Sequence, residues 1–403
     1  MRGLKIILVL LGLCVAYLLA WPVPIDPQAW TPPPAPAAEG VYAYNDTLKG
    51  IERLAEGLGN GPEGINVDAA GRIYAGYDDG RVVRYSHNGG DYTELTNTGG
   101  RPLGITFGPT GGVDVADARK GLLHIGRGRE ATLNTDSADG VPFGFTDDVD
   151  NTRLDKSLYF TDASSRFGID ATMADIFEHA PNGRLLRYDV VNKTTEVLLD
   201  GLYFPNGVAV GPDDAYVLVN ETTKYRVLRY WLKGDKAGTT DVFIDNLPGF
   251  PDNISFNGRN RFWLALYSPR IEQLDALLPH PALRKIVFRL PDFLHPKPPR
   301  HSFALGLDTD GKVIANLQYR GDDAYSPITS VREFGPWLFF GSLTEPAIGR
   351  LPLHAALPAE PAPVGSYALP PAKPVRIEPR PLSAEEREEM EREAREAASG
   401  DDE

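Results

Sequence analysis

Five side chains carry oxygen chemistry at related places in this sequence. Glu63 stands in GPEGINV, Asp147 in FTDDVDN, Asn206 in FPNGVAV, and Asp252 with Asn253 in FPDNISF. Each phrase sets a carboxylate or amide just ahead of a β-rich run. Such oxygens are hard donors. Ca2+ accepts six to eight of them, whereas Mg2+ wants fewer protein ligands and more waters. Amides among carboxylates fill a coordination shell without adding charge. The plain alternative is that Asp and Asn at strand starts only form turns, because their side chains hydrogen-bond nearby backbone. That alternative suits any one phrase better than it suits four at corresponding repeat positions.

Residues so distant in sequence can meet only if the elements between them repeat. The body, about Val41 to Pro358, is built from one kind of unit: a Gly/Asp/Asn turn, a short alternating strand, a second turn and another strand. GRIYAGYDDGRVVRY (Gly71–Tyr85) and AYVLVNETTKYRVLRYWL (Ala215–Leu232) are examples. Two further phrases, RPLGITF at Gly104 and FALGLDT near Leu305, bring the set to six. A repeat of forty or more residues points to an all-β, six-bladed β-propeller. In that fold the innermost strands line a central channel, and residues just ahead of them converge at the axis. Two insertions interrupt the pattern, Gly168–Gly183 and Ser268–Ser302. Both carry helix-like spacing and are expected to form lids over one face.

The ends differ from the body. Arg2 and Lys5 precede an uncharged run from Ile6 to Trp21, so residues 1–21 read as an uncleaved signal anchor, with a cleaved signal peptide as the alternative. The two cations would keep the N-terminus cytoplasmic and send the body across the membrane. Residues 22–40 are proline-rich, which stiffens a chain into an extended stalk. Residues 359–403 are proline-rich and then acidic. From Ser383 to Glu403 ten acids face three bases, half the net charge of −14, in what reads as an exposed charged helix. The body is thus only mildly acidic, and no basic stripe invites nucleic acid. The one cysteine, Cys14, lies in the apolar run, which excludes disulfides, thiolate metal sites and a cysteine nucleophile from the body. No G-x-S-x-G elbow, P-loop or dinucleotide fingerprint occurs. Asn192 and Asn220 sit in N-x-T sequons.

The stretches LYFTDAS, GPEGI and VLVNETTKYRVLRYWLKGDKAGTTDVFIDNLPGFPDNI resemble the strictosidine synthase-like family of six-bladed propellers, its membrane-anchored branch above all. More distantly the chain is similar to gluconolactonases, paraoxonases and diisopropylfluorophosphatases. The resemblance implies a calcium site in which Glu63, Asn206 and Asp252 match family ligands. Asp147 replaces an asparagine there, and Asn253 stands beside Asp252 as in some members. The synthase glutamate, just before the last inner strand, falls on Thr329, with Glu333 the nearest acid; this argues against amine–aldehyde condensation. The paraoxonase histidine pair is represented by His124 alone, expected on a strand facing away. His179, His280, His295 and His301 fall in the insertions without a pattern.

These residues point to a metal-centred hydrolase of small-molecule esters or lactones, with Asp252 as general base or nucleophile. The alternative is a non-catalytic propeller that binds a ligand or partner around a structural calcium.

Overall fold

The computed structural model describes residues 2–152 and 156–357. The charged tail expected beyond Pro358 lies outside these residues. Six four-stranded antiparallel sheets form the blades of a β-propeller. The first five run in chain order, with innermost strands Ile65–Val67, Pro102–Phe107, Thr146–Asn151, Pro205–Val210 and Gly249–Phe256. The sixth has Ser330–Phe334 innermost, and its outermost strand is Glu52–Leu54 from the start of the body. Leu54 pairs with Ile348 and Glu52 with Arg350, so the chain closes its own ring and leaves no blade unsupported.

One expected phrase is misplaced. FALGLDT falls in Ser302–Asp308, which pairs with Arg261–Pro269 on one side and Val313–Tyr319 on the other. It is the third strand of the fifth blade, not an inner strand. The sixth inner strand follows Thr329 instead. The Leu305–Gly306 pair mimics Leu103–Gly104 locally, but ladder partners, which are non-local, decide strand rank.

Between blades the packing is apolar. Phe262, Leu264 and Leu266 of the fifth blade meet Leu218, Val227 and Phe243 of the fourth, all buried. Alternation along each strand sends one set of side chains to each neighbouring blade. Hence the strands read as almost continuously hydrophobic.

Both insertions are helical and lie on the face where the inner strands begin. The first holds α2 (Thr172–Glu178); the second holds α3 (Glu272–Leu277) and α4 (Pro281–Phe288). The N-terminal run is helix α1 (Arg2–Ala20), apolar and long enough to cross a membrane. The proline-rich segment after it is extended, and it packs on the body as a strap across the lid. Ile25 is buried with Phe167, Ala174 and Phe177. Arg284 of α4, fully buried, donates to the Phe177 and Glu178 carbonyls at 2.9 and 3.1 Å and also to Gln28 of the strap. It thereby caps the C-terminal end of α2, where unpaired carbonyls and the helix dipole favour a cation. Farther along, Arg270 donates to the Pro33 carbonyl at 2.7 Å and Asn246 to the Pro34 carbonyl at 3.0 Å.

Candidate metal centre

The five expected residues do converge at the propeller axis. Glu63, Asp147, Asn206, Asp252 and Asn253 are all buried. Glu63 stands just ahead of the first inner strand, and the aim of the other four comes from a repeated irregularity. The inner ladder shifts register between Thr146 and Val149, between Pro205 and Val208, and between Pro251 and Ile254. The residues inside these shifts are Asp147–Asp148, Asn206–Gly207 and Asp252–Asn253. A bulge leaves residues out of the ladder and re-aims their side chains, here into the channel. The second blade carries the same shift around Leu103–Gly104, without an oxygen ligand.

Glycine makes this close approach possible. A Cβ on Gly207 would lie 2.5 Å from Asn253 Cα and 2.6 Å from the Asp252 carbonyl oxygen. One on Gly104 would meet Asp148 Cα at 2.6 Å. Polar clasps then hold neighbouring blades in place. Asp148 accepts from the Val208 amide at 2.9 Å, and Asp150 from the Val210 amide at 2.9 Å. Ser330 donates to the Glu63 carbonyl at 2.6 Å, joining the sixth blade to the first.

The side chains are only partly satisfied by one another. Asn206 Nδ2 donates to Asp147 Oδ2 at 3.1 Å, and Asn253 Nδ2 donates to Glu63 Oε1. Glu63 Oε2, Asn206 Oδ1, Asp252 Oδ1 and Asn253 Oδ1 are buried without a hydrogen-bond partner. Burial pushes the Glu63 carboxyl up to about 7, with nearby Arg101 and the Asn253 amide opposing. Asp148 is pushed up to about 8, again chiefly by burial. Asp147 and Asp252 are held well above the usual carboxylate range, first by burial and then by the charge of Glu63. Four carboxyl groups crowded in a low dielectric cannot all ionise without a compensating charge.

Among the described residues, no three His, Cys, Asp or Glu side chains are gathered in a ready metal-ligating cluster. A cluster of acids and histidines is the wrong template for this donor set, in which amides supply part of the oxygen. Four orphaned buried oxygens from three blades, two of them amide carbonyls, fit a hard dication that prefers oxygen and tolerates mixed ligands.

Above these oxygens lies a cavity of about 420 Å³ with the lid as its roof. Phe145, Phe204 and Phe250 form part of its wall, and Met173, Ile176 and Leu274 reach down from the lid. Each phenylalanine stands two residues before a candidate ligand, so one offset in the repeat supplies both the polar floor and the apolar wall. At that offset in the second blade stands Arg101, which sequence reasoning passed over. It is buried, and both its terminal nitrogens lack a partner. The signal was an arginine in RPLGITF where FTD, FPN and FPD have phenylalanine.

Other candidates lie elsewhere. His124 sits on a third strand of the second blade, with Nδ1 2.9 Å from Asp114 Oδ1, away from the channel. His179 stacks on Trp30 of the strap at 4.7 Å, and burial pushes its pKa down to about 3. His295 packs in the lid against Phe177 and Phe288. His301 shares a 3.1 Å hydrogen bond with Gln318, and His280 precedes α4. Thr329 is buried just before the last inner strand, with its hydroxyl on the Glu63 carbonyl. Glu333 is tied to Arg259, Arg261 and the Trp263 indole at the opposite end of that strand. The sequon at Asn220 is sealed: this residue is fully buried and donates to the Asp252 carbonyl. Asn192 is exposed.

Comparison with known proteins agrees with this architecture. Residues 147–235 match the strictosidine synthase family and residues 40–85 the strictosidine synthase-like N-terminal family. Protein strictosidine synthase-like 6 of Arabidopsis thaliana is 41% identical over 314 residues, 76% of this chain and 82% of the relative. Adipocyte plasma membrane-associated protein of Rattus norvegicus is 34% identical over 355 residues, 82% of this chain and 94% of the relative. Among solved structures, a gluconolactonase from Xanthomonas campestris superimposes with a TM-score of 0.54 at 14% identity, covering 74% of this chain and 88% of that one. A calcium-binding regucalcin from Agrobacterium tumefaciens gives 0.52 at 16%, covering 74% and 92%. These two likenesses show the fold alone. The identities to full-length relatives show more: this chain belongs to the strictosidine synthase-like family.

Proposed function

We propose that this protein is a membrane-anchored, calcium-dependent hydrolase of esters or lactones. One observation carries the reading: buried oxygens of Glu63, Asn206, Asp252 and Asn253 lie without partners, and the first three of these residues line an apolar cavity. Leaving such groups uncompensated costs roughly 1–3 kcal/mol each. Glu63, Asp147, Asn206, Asp252 and Asn253 would hold the ion. Calcium, when bound, supplies the charge that lets these carboxylates ionise together, and it polarises a substrate carbonyl.

The remaining work falls to the chain. Asp252 would take the proton from an attacking water on the carboxylate oxygen that is not turned to the ion. Phe145, Phe204 and Phe250 exclude bulk water and receive the apolar part of the substrate. The unpartnered guanidinium of Arg101 adds positive potential beside Glu63. Amine–aldehyde condensation lacks its acid, because Thr329 occupies that place. Among the fold relatives, one is named a gluconolactonase and another a calcium-binding protein. Both names agree with this reading, which rests on this chain's own oxygens. Helix α1 anchors the body, and Arg2 and Lys5 keep its start cytoplasmic, with the propeller on the far side.

The test is turnover of phenyl acetate and a lactone series by the purified full chain, with calcium or with excess chelator. Calcium-restored turnover is expected, and activity indifferent to chelator would overturn the reading. A fall in melting temperature on chelation, with no ester or lactone turned over, would instead mark a ligand-binding propeller with a structural calcium.

A further inference from the structure

The lid is fastened to the membrane helix as well as to the propeller. Helix α1 has 19 residues, about 28 Å at 1.5 Å per residue, close to the thickness of a hydrocarbon core. Its last carbonyls have no partner within the helix. Arg289, just past α4, supplies two donors there: Nη1 to the Leu18 carbonyl at 2.9 Å and Nε to the Trp21 carbonyl at 2.7 Å. In return the Tyr17 hydroxyl donates to the Arg289 carbonyl at 3.2 Å. Tyr17 and Trp21 pack together at 5.8 Å, an aromatic pair of the kind that marks a membrane–water boundary. Arg289 therefore sits at headgroup level.

From Arg289 the chain runs directly to the cavity mouth. Phe293 follows four residues later, at most about 14 Å away. Phe293 is 71% exposed and Leu294 54% exposed. Two adjacent large apolar side chains so exposed need a partner surface. Pro296 and Pro298, next in sequence, line the cavity, and Met173 of α2 lines it while 42% exposed. Exposed Lys297 adds a cation suited to anionic headgroups. Helix end, apolar tip and cavity rim are thus one continuous strip.

We infer that Phe293 and Leu294 dip into the bilayer interface and seat the cavity mouth on the membrane. The cavity then takes its ligand from the lipid phase: an amphiphile with a long apolar chain and a compact carbonyl head. The apolar wall receives the chain, and the oxygen-rich floor faces the head. This deepens the hydrolase reading by naming its substrate class, and it rests on that reading for the chemistry alone.

Two measurements on the full chain in lipid nanodiscs test it without needing turnover. Cys14 is the only cysteine, so C14S/L294C carries a single nitroxide. That label should be more accessible to oxygen than to a water-soluble nickel chelate, unlike a control label in C14S/N192C. Equal accessibility of the two labels would overturn the membrane seating. Diazirine-bearing palmitic acid dissolved in the bilayer should, on illumination, form adducts on cavity residues such as Met173 or Ile176. The double variant F293D/L294D should reduce that yield about tenfold. No adduct within the cavity, or a yield unchanged by the double variant, would overturn uptake from lipid. If no ester is turned over, the hydrolase reading fails while both measurements still decide this one.

Discussion

Asp252 and Glu63 share a problem that the surrounding protein leaves unsolved. Each has an oxygen buried without a partner. Asp252→Ala is expected to lower ester or lactone turnover at least about 100-fold, the scale of losing a general base or a metal ligand. Asn206→Ala should weaken calcium affinity with less effect on chemistry at saturating calcium, which calcium titration of turnover would separate. The raised carboxyl pKa values carry a sign as well. In chelated protein, Glu63 at about 7 and Asp148 at about 8 stand above their unfolded values. They contribute stability that is complete below about pH 4, near the unfolded carboxyl pKa values. It is lost as pH rises through about 7 and 8. Thermal melts in chelator should therefore show these groups lowering the melting temperature between pH 5 and 8.5. Added calcium should oppose that fall increasingly toward high pH, because it competes with protons for the same oxygens. Melts whose calcium effect does not grow with pH would contradict this linkage.

The elements matter through their irregular parts. Regular inner strands would turn some of these candidate ligands into the blade interfaces; the bulges at Asp147–Asp148, Asn206–Gly207 and Asp252–Asn253 re-aim them. Gly207→Ala sets a Cβ against Asn253 Cα and the Asp252 carbonyl. It should cost about 1–3 kcal/mol by overpacking and weaken calcium binding along with stability. Denaturant melts and calcium titration measure the two effects. The lid depends on Arg284, which joins α4, the end of α2 and the strap. Arg284→Met should leave the blades intact and loosen the lid, because the buried Phe177 and Glu178 carbonyls and the Gln28 carbonyl of the strap lose a donor. Amide hydrogen exchange should quicken in residues 22–34 and 172–178 alone. Faster exchange throughout the propeller would show that the lid is part of the global folding unit.

For the whole molecule, closure sets the geometry of the site. Glu52–Leu54 completes the sixth blade, and Ser330 grips the Glu63 carbonyl, so the first and last blades meet at a candidate ligand. Leu54→Asp should destabilise the ring by about 3 kcal/mol or more, since it buries a charge where Ile65 and Tyr85 pack. Loss of bound calcium should accompany the loss of stability in the same melts. Unchanged calcium affinity in this variant would mean that the site forms without closure. The lid lies on the face above the oxygens, and the end of α1 is bonded to it through Arg289.

The sequence by itself determined the blades, the candidate ligands and the apolar helix. All three are written in local patterns: alternation, turn residues, a repeated aromatic-to-oxygen offset and an unbroken apolar run. It was silent on three matters. FALGLDT could not be told from an inner strand, because rank in a blade is set by ladder partners on both sides. The proline-rich stretch read as an extended stalk, yet Arg284, Asn246 and Arg270, more than two hundred residues away, bind its carbonyls to the body. Arg101 was passed over, and only the closed ring brings it beside Glu63. In each case the deciding contact joins residues far apart in the chain. Periodicity reports which way a side chain points along its own strand; only the closed ring decides what it meets.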